Sequence, residues 1–111
     1  IASGSRVSYM RSNTVIGYPA PVSVIVTTKG DVSAKLSAIR VNGIDSLTNT
    51  NSQGVGNYRN SVMYIGRRAG TSQSFSGHIY GIIGVGRLTS DDEIVAIEKE
   101  LAKRIGVTLN V

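Results

Sequence analysis

The side chains that could carry acid–base or metal chemistry are few: one histidine, His78, and seven carboxylates. A single histidine cannot form a multi-histidine metal site, nor a catalytic triad unless a nucleophile and an acid converge on it. Five carboxylates fall in one predicted helix as cap, dipole partners and solvated face. These five are Asp91, Asp92, Glu93, Glu98 and Glu100. Glycosidases use paired acids across a groove, and no Glu-x-Asp-x-x-Glu string occurs, so the sequence predicts no catalytic residue and no enzyme.

A calcium site is a weaker alternative in the region of a long polar loop. Asp45, Asn49, Asn51 and Asn57 lie in or near residues 48–60 and could supply some of the six to eight oxygens that Ca²⁺ requires. No Asp-x-Asp-x-Asp spacing supports them. The sequence therefore predicts no metal and no cofactor, with loop-bound calcium as the less favoured alternative.

The same loop contains the best candidate for carbohydrate binding. Residues 48–60 are rich in Asn, Gly, Ser and Thr, and long loops in compact domains are often binding loops. Tyr58 would provide the aromatic platform, with amide and guanidinium groups beside it. The candidate ligand-binding residues are Asn57, Tyr58, Arg59, Asn60, Arg67 and Arg68. A solvated loop with Tyr58 packed on the scaffold is the simpler interpretation, and it is favoured.

Composition narrows the class of protein. The 111 residues suffice for one domain, 1–111, and 41% of them are hydrophobic, which is compatible with a packed core. The net charge is +5, but the basic residues are scattered rather than clustered, so we do not expect nucleic-acid binding.

Cysteine is absent, which excludes disulfides and thiolate metal sites. No apolar run approaches the ~20 residues of a membrane span. The chain starts at Ile1, which suggests processing or a fragment of a longer protein.

The pattern of the chain predicts many strands. Residues 6–11 and 13–18 are weak strands, and residues 21–28 form a buried strand followed by a turn at 29–31. Asn42-Gly43 between apolar flanks predicts a two-residue hairpin joining 34–41 to 44–47. Further strands are predicted at 61–66, 75–85 and 107–111. The strand at 75–85 would place Tyr80 and Ile82 on a face that needs cover.

One late helix supplies that cover. Ser90 and Glu93 form a capping box, and Gly106 occupies the position after the last turn. Ile94, Ile97, Leu101 and Ile105 make one apolar stripe. Seven to eight strands with one helix predict an antiparallel β-sandwich.

Four short motifs, taken in order, resemble a known family. They are Arg40-Val41-Asn42-Gly43, Tyr64-Ile65-Gly66, Phe75-Ser76-Gly77-His78-Ile79-Tyr80 and Leu88-Thr89-Ser90-Asp91-Asp92-Glu93-Ile94. This order and spacing are similar to the concanavalin A-like lectin/glucanase jelly roll, and in particular to the laminin-G-like domains of phage and prophage structural proteins. Family domains are usually nearly twice as long. We therefore expect a C-terminal portion whose other strands are absent, processed off or supplied by another chain.

The resemblance implies a fold and a class of function. The fold would be all-β, a jelly-roll-like antiparallel sandwich with one C-terminal α-helix. The function would be that of a non-catalytic structural or adhesion module in a phage tail, fibre or capsid decoration, located in the virion or outside the cell. Its partners would be copies of itself or other virion chains, and also surface glycans, with no membrane contact. The alternative is an autonomous carbohydrate-binding module.

Overall fold

The computed structural model describes residues 2–4, 9–11, 23–50, 62–67 and 74–111. Within these ranges the elements follow the chain in this order: β1 (Ala2–Gly4), β2 (Tyr9–Arg11), β3 (Val26–Asp31), β4 (Leu36–Val41), β5 (Ile44–Asn49) and α1 (Asp91–Ile105). β3, β4 and β5 form an antiparallel sheet with β4 in the centre, and β1 pairs with β2 in a separate two-stranded ribbon. The helix lies over one face of the larger sheet.

The predicted hairpin is confirmed, and it organises the sheet. Asn42 and Gly43 both have positive φ, 50° and 85°, as the two central residues of a type I′ turn require. Asn42 also holds the chain before β3, because its Oδ1 accepts from the N–H of Ile25 and its own N–H donates to the Ile25 carbonyl, both at 2.9 Å. On the other side, the Asn42 carbonyl accepts from the N–H of Asn110. The turn is therefore hydrogen-bonded both to the residue that precedes β3 and to the chain that follows α1.

A β-bulge adjusts the register between β4 and β5. Arg40 pairs with Asp45 but Ile39 pairs with Leu47, so Ser46 is the extra residue on β5. A bulge increases the local twist and redirects the side chains beside it. Here it lies next to Arg40, which is directed towards the helix.

The helix forms as predicted, with both ends capped. The Ser90 hydroxyl accepts from the Glu93 N–H at 3.2 Å, and the Glu93 carboxylate accepts from the Ser90 N–H at 2.9 Å, which completes the capping box. Gly106 adopts φ 70°, and the N–H groups of Gly106 and Val107 both reach the Ala102 carbonyl. This left-handed ending is the one that glycine favours.

The core is small and centred on β4. Along this strand Ser37, Ile39 and Val41 are buried on one face, with Leu47 packed beside them. Their neighbours Leu36, Ala38 and Arg40 alternate onto the opposite face, as the two-residue period of a strand dictates. On the helix, Ile94 and Ala102 are buried.

The predicted jelly-roll sandwich is wrong: the described residues form a mixed α/β structure with one three-stranded sheet and one helix. Residues 62–66, 75–85 and 107–111, predicted as strands, contain no strand where the structure describes them. A sandwich needs two packed sheets. The segments that would have built the second sheet instead leave their large apolar side chains exposed.

Two smaller predictions also need correction. Residues 29–31, predicted as a turn, close β3, and the turn follows at 32–35. Asp31 explains the shift, since its Oδ1 accepts from the Ala34 N–H and the Ser33 hydroxyl, which nucleates the turn after it. The strand predicted over 21–28 begins at Val26. Of the predicted weak strands, β2 covers 9–11, and 13–18 lies outside the described residues.

We predict that Gly43→Ala lowers the free energy of unfolding by about 1–2 kcal/mol, because the Cβ of alanine makes a left-handed backbone conformation unfavourable by this amount. An added Cβ would also meet Val111 Cγ1. Gly86→Ala is the matched control, since its Cβ would meet nothing within 4 Å and its φ is not left-handed. Urea unfolding followed by circular dichroism measures both variants. Equal stability of the two would contradict the role assigned to the turn.

Candidate functional site

The predicted carbohydrate cluster is not assembled by the described residues. Asn57, Tyr58, Arg59, Asn60 and Arg68 lie outside them, and Arg67 is exposed in a bend. The carbohydrate site therefore stays a prediction.

The calcium alternative gains no support either. Asp45 is engaged by Arg40 at 3.3 Å, Asn49 ends β5, and Asn51 and Asn57 fall outside the described ranges. In the described part of the chain, no three His, Asp or Glu side chains come close enough together to hold a metal ion. No helix found there is long and apolar enough to cross a membrane.

The dominant polar feature is a buried ion pair between the sheet and the helix. Arg40 donates from Nε to Glu98 Oε1 and from Nη2 to Glu98 Oε2, each at 3.0 Å, in a bidentate arrangement. The Glu98 side chain is 2% exposed and that of Arg40 is 18% exposed. The Thr27 hydroxyl donates a further bond of 2.7 Å to Glu98 Oε1. The carboxylate thus has a donor at each oxygen.

The remaining donors of Arg40 connect the pair to the hairpin. Nη2 also donates to the Gly43 carbonyl at 2.8 Å, and Nη1 donates to Asp45 Oδ1 at 3.3 Å. Hydrogen bonding to Glu98 raises the pKa of Arg40 above its usual value, with burial acting in the opposite sense. This network joins β4, the turn, β5 and α1 through the Arg40 guanidinium group, and it joins β3 through the bond from Thr27 to the Glu98 carboxylate.

Glu98 was expected on the solvated face of the helix, and this expectation is wrong. The buried residues of α1 are Ile94, Glu98 and Ala102, spaced four apart, whereas the predicted stripe also contained Ile97, Leu101 and Ile105, which are half-buried. The available signal was Arg40, the one charged residue of β4. A buried arginine needs a carboxylate partner, and the sequence did not show which of the seven would supply it.

A shallow cleft of about 200 Å³ opens beside this pair, between the sheet and the start of α1. It is lined by Thr27, Lys29, Leu36, Ala38, Arg40, Asp45, Thr48, Asp91 and Ile94. Both of its cations already have carboxylate partners: Lys29 contacts Asp91 at 3.1 Å, and Arg40 contacts Glu98 and Asp45. The cations of the cleft are thus held in its own ion pairs, and the Thr27 hydroxyl that lines it donates to Glu98 Oε1.

The start of the helix holds a second, exposed ion pair. Arg87 donates to both oxygens of Glu93, at 2.6 and 3.0 Å. This hydrogen bonding, followed by the bond from the Ser90 N–H, lowers the pKa of Glu93 to about 2. Both side chains are solvent-accessible, so salt screens their attraction. The pair supports the cap and does not point to a reaction.

The most unusual surface is apolar. We call residues 74–85 the apolar segment. The term apolar surface refers to ten large hydrophobic side chains of residues 62–65 and 75–85, each at least 44% exposed. They are Val62, Met63, Tyr64, Ile65, Phe75, Ile79, Tyr80, Ile82, Ile83 and Val85. Soluble monomers seldom leave a contiguous apolar patch of this kind uncovered. Tyr80 and Ile82 were expected beneath the helix, and their exposure contradicts that expectation.

Side chains within the apolar segment alternate as they do in a strand. The Phe75 ring lies over Gly77, so that a Cβ there would be 2.9 Å from Phe75 Cζ. The rings of His78 and Tyr80 stack with centroids 6.3 Å apart. Contacts between residues two apart place odd and even positions on opposite sides. His78 is exposed.

A single backbone bond ties this segment to its neighbour. The Phe75 N–H donates to the Gly66 carbonyl at 2.7 Å, and Ile79 Cδ1 approaches Gly66. In the part of the chain that the structure describes, residues 74–85 make no other backbone hydrogen bond. The segment therefore has a strand-like side-chain pattern without a strand partner in the described ranges.

Comparison of the chain with protein-family models, with curated proteins and with solved structures found no match in any of the three. The resemblance to laminin-G-like domains accordingly stays a prediction.

We predict that Glu98→Leu destabilises the protein by about 3 kcal/mol, because it leaves the largely buried Arg40 charge without its partner. The double variant Arg40→Met/Glu98→Leu should recover most of this loss, since no unpaired charge remains. Urea unfolding monitored by circular dichroism measures all variants.

Glu100→Leu is the matched control for that series. Glu100 lies two residues further along α1 and pairs with Arg104 at the surface, so its loss should cost less than about 0.5 kcal/mol. The role of the buried pair is contradicted if Glu98→Leu and Glu100→Leu are equally stable, or if the double variant is no better than Glu98→Leu.

Proposed function

We propose that this protein is a non-catalytic structural module that builds a larger assembly through its apolar surface. The observation that carries the proposal is the exposure of ten large hydrophobic side chains in residues 62–65 and 75–85. Covering such a surface removes apolar area from water, which is the main driving force of protein association.

The character of the segment favours a protein partner over a soluble small molecule. Residues 74–85 contain no Lys, Arg, Asp or Glu, and their strand-like alternation suits the addition of a strand, in which main-chain bonds give affinity and alternate side chains give specificity. Extended, unpaired, apolar strands are a liability that native proteins cover. A structural role accounts for this feature without a catalytic centre.

The folded part of the chain provides the base for such an assembly. The capped helix and the three-stranded sheet are joined through the largely buried pair of Arg40 and Glu98. Location in a virion or outside the cell, and attachment to surface glycans, rest on the laminin-G-like resemblance alone and remain predictions.

We predict that the wild-type chain forms a defined oligomer across the micromolar range, and that Ile79→Asp/Ile83→Asp is monomeric, because each buried carboxylate would be desolvated in the interface. Light scattering after size-exclusion chromatography measures mass, and circular dichroism checks that the helix is retained.

The matched control is Thr50→Asp/Thr108→Asp, which adds the same two charges at exposed residues outside the apolar surface. This control should associate as the wild type does. A wild-type chain that stays monomeric at high micromolar concentration would contradict the proposed function.

A further inference from the structure

We infer that Asn42-Gly43 is a site of deamidation, and that the chain following α1 keeps it inactive by holding the turn in its folded conformation. The inference is independent of the proposed function. Asn42 is the one asparagine of the chain that precedes a glycine. Because glycine has no Cβ, its main-chain nitrogen approaches the preceding side-chain amide with little steric hindrance.

The reaction uses only groups of the turn and water. The Gly43 main-chain nitrogen loses its proton to solvent and attacks Asn42 Cγ, so that an N–Cγ bond forms. The Cγ–Nδ2 bond breaks and ammonia leaves, which closes a succinimide ring. Water then opens the ring at one of its two carbonyl carbons. Opening at Cγ gives aspartate, and opening at the main-chain carbonyl gives isoaspartate, which adds a carbon atom to the main chain of the turn.

The folded turn keeps the reacting atoms apart. Asn42 and Gly43 have φ of 50° and 85°, the signs of a type I′ turn, in which ψ of the first central residue is about +30°. At this ψ the Gly43 nitrogen lies nearly anti to the Asn42 Cβ about the Cα–C bond. Ring closure needs the two nearly eclipsed, which corresponds to ψ of about −120°, the value found in a type II′ turn. The peptide plane between the two residues must therefore flip before the nitrogen can attack.

Contacts around the turn oppose this flip. The Asn42 carbonyl, which belongs to the plane that must rotate, accepts from the Asn110 N–H at 3.0 Å. Gly43 is buried, and the Val111 side chain packs against it. The Asn42 Oδ1 accepts from the Ile25 N–H at 2.9 Å, which fixes the orientation of the side-chain amide. The segment that follows α1 thus acts directly on the peptide plane whose rotation starts the reaction.

Incubation of the folded and the unfolded chain tests the site. In guanidinium chloride at mildly alkaline pH, we expect Asn42 to convert to aspartate and isoaspartate faster than any other asparagine, as measured by peptide mass spectrometry with enzymatic detection of isoaspartate. In native buffer at the same pH and temperature, conversion at Asn42 should be at least about tenfold slower, because only molecules with an open turn react.

Two proline variants test the role of the segment after α1. Asn110→Pro removes the N–H that binds the Asn42 carbonyl. In native buffer we expect it to convert at Asn42 roughly two- to tenfold faster than the wild type, which is the effect of losing one hydrogen bond. Thr108→Pro is the matched control and should convert at the wild-type rate, since the Thr108 N–H makes no backbone hydrogen bond to any described residue. All three chains should react equally fast in guanidinium chloride.

Val111→Ala is a second variant that keeps every hydrogen bond of the turn and removes the side-chain atoms packed on Gly43. It should also accelerate conversion in native buffer, so the test does not depend on Asn110→Pro alone. Circular dichroism checks that each variant keeps its helix.

The deamidation site is overturned if Asn42 reacts no faster than the other asparagines in guanidinium chloride. Its inactivation by the fold is overturned if the folded wild-type chain reacts as fast as the unfolded one. The role of the segment after α1 is overturned if neither Asn110→Pro nor Val111→Ala accelerates the reaction in a chain that keeps its helix, or if Thr108→Pro accelerates it equally.

Discussion

The bidentate pair of Arg40 and Glu98 is the interaction on which the rest of the structure depends. It is the point where the central strand meets the helix. Thr27 attaches the neighbouring strand through its bond to Glu98, and Arg40 attaches the turn through its bond to the Gly43 carbonyl. A charge pair removed from water stabilises a fold only when its hydrogen-bonding capacity is satisfied. The surrounding elements meet this condition, so their relative positions are constrained more narrowly than apolar packing alone would require.

This constraint divides the described chain into two parts of different character. In one part the pair is largely buried, Ile94 and Ala102 are buried on α1, and Ile39 and Val41 are buried on the face of β4 opposite Arg40. Both ends of the helix are capped. In the other part, residues 62–65 and 75–85, large apolar side chains face solvent. Among the described residues, the small core leaves these side chains uncovered. The proposed function assigns their cover to a protein partner.

Local signals in the sequence predicted local structure well and long-range arrangement poorly. Asn42-Gly43 and the Ser90–Glu93 capping box specify backbone conformations within a few residues, and both are present. The alternation over 75–85 predicted a strand, and the structure contains none there, because a strand also needs a neighbour, which periodicity cannot supply. The overall sandwich was inferred from the number of such segments and was therefore wrong. Glu98 was misplaced because its helical position fits either a buried or a solvated face, and its partner Arg40 is 58 residues away in sequence.

Amide hydrogen exchange at low and high protein concentration would test this division of the chain most directly. The account predicts strong protection in β3, β4, β5 and α1 at both concentrations, because their bonds are internal to the chain. It predicts that the amides of residues 76–85 exchange rapidly in dilute solution and become protected as concentration rises. Strong protection of that segment at every concentration down to the monomer would contradict the account, since it would mean that the chain covers its own apolar surface.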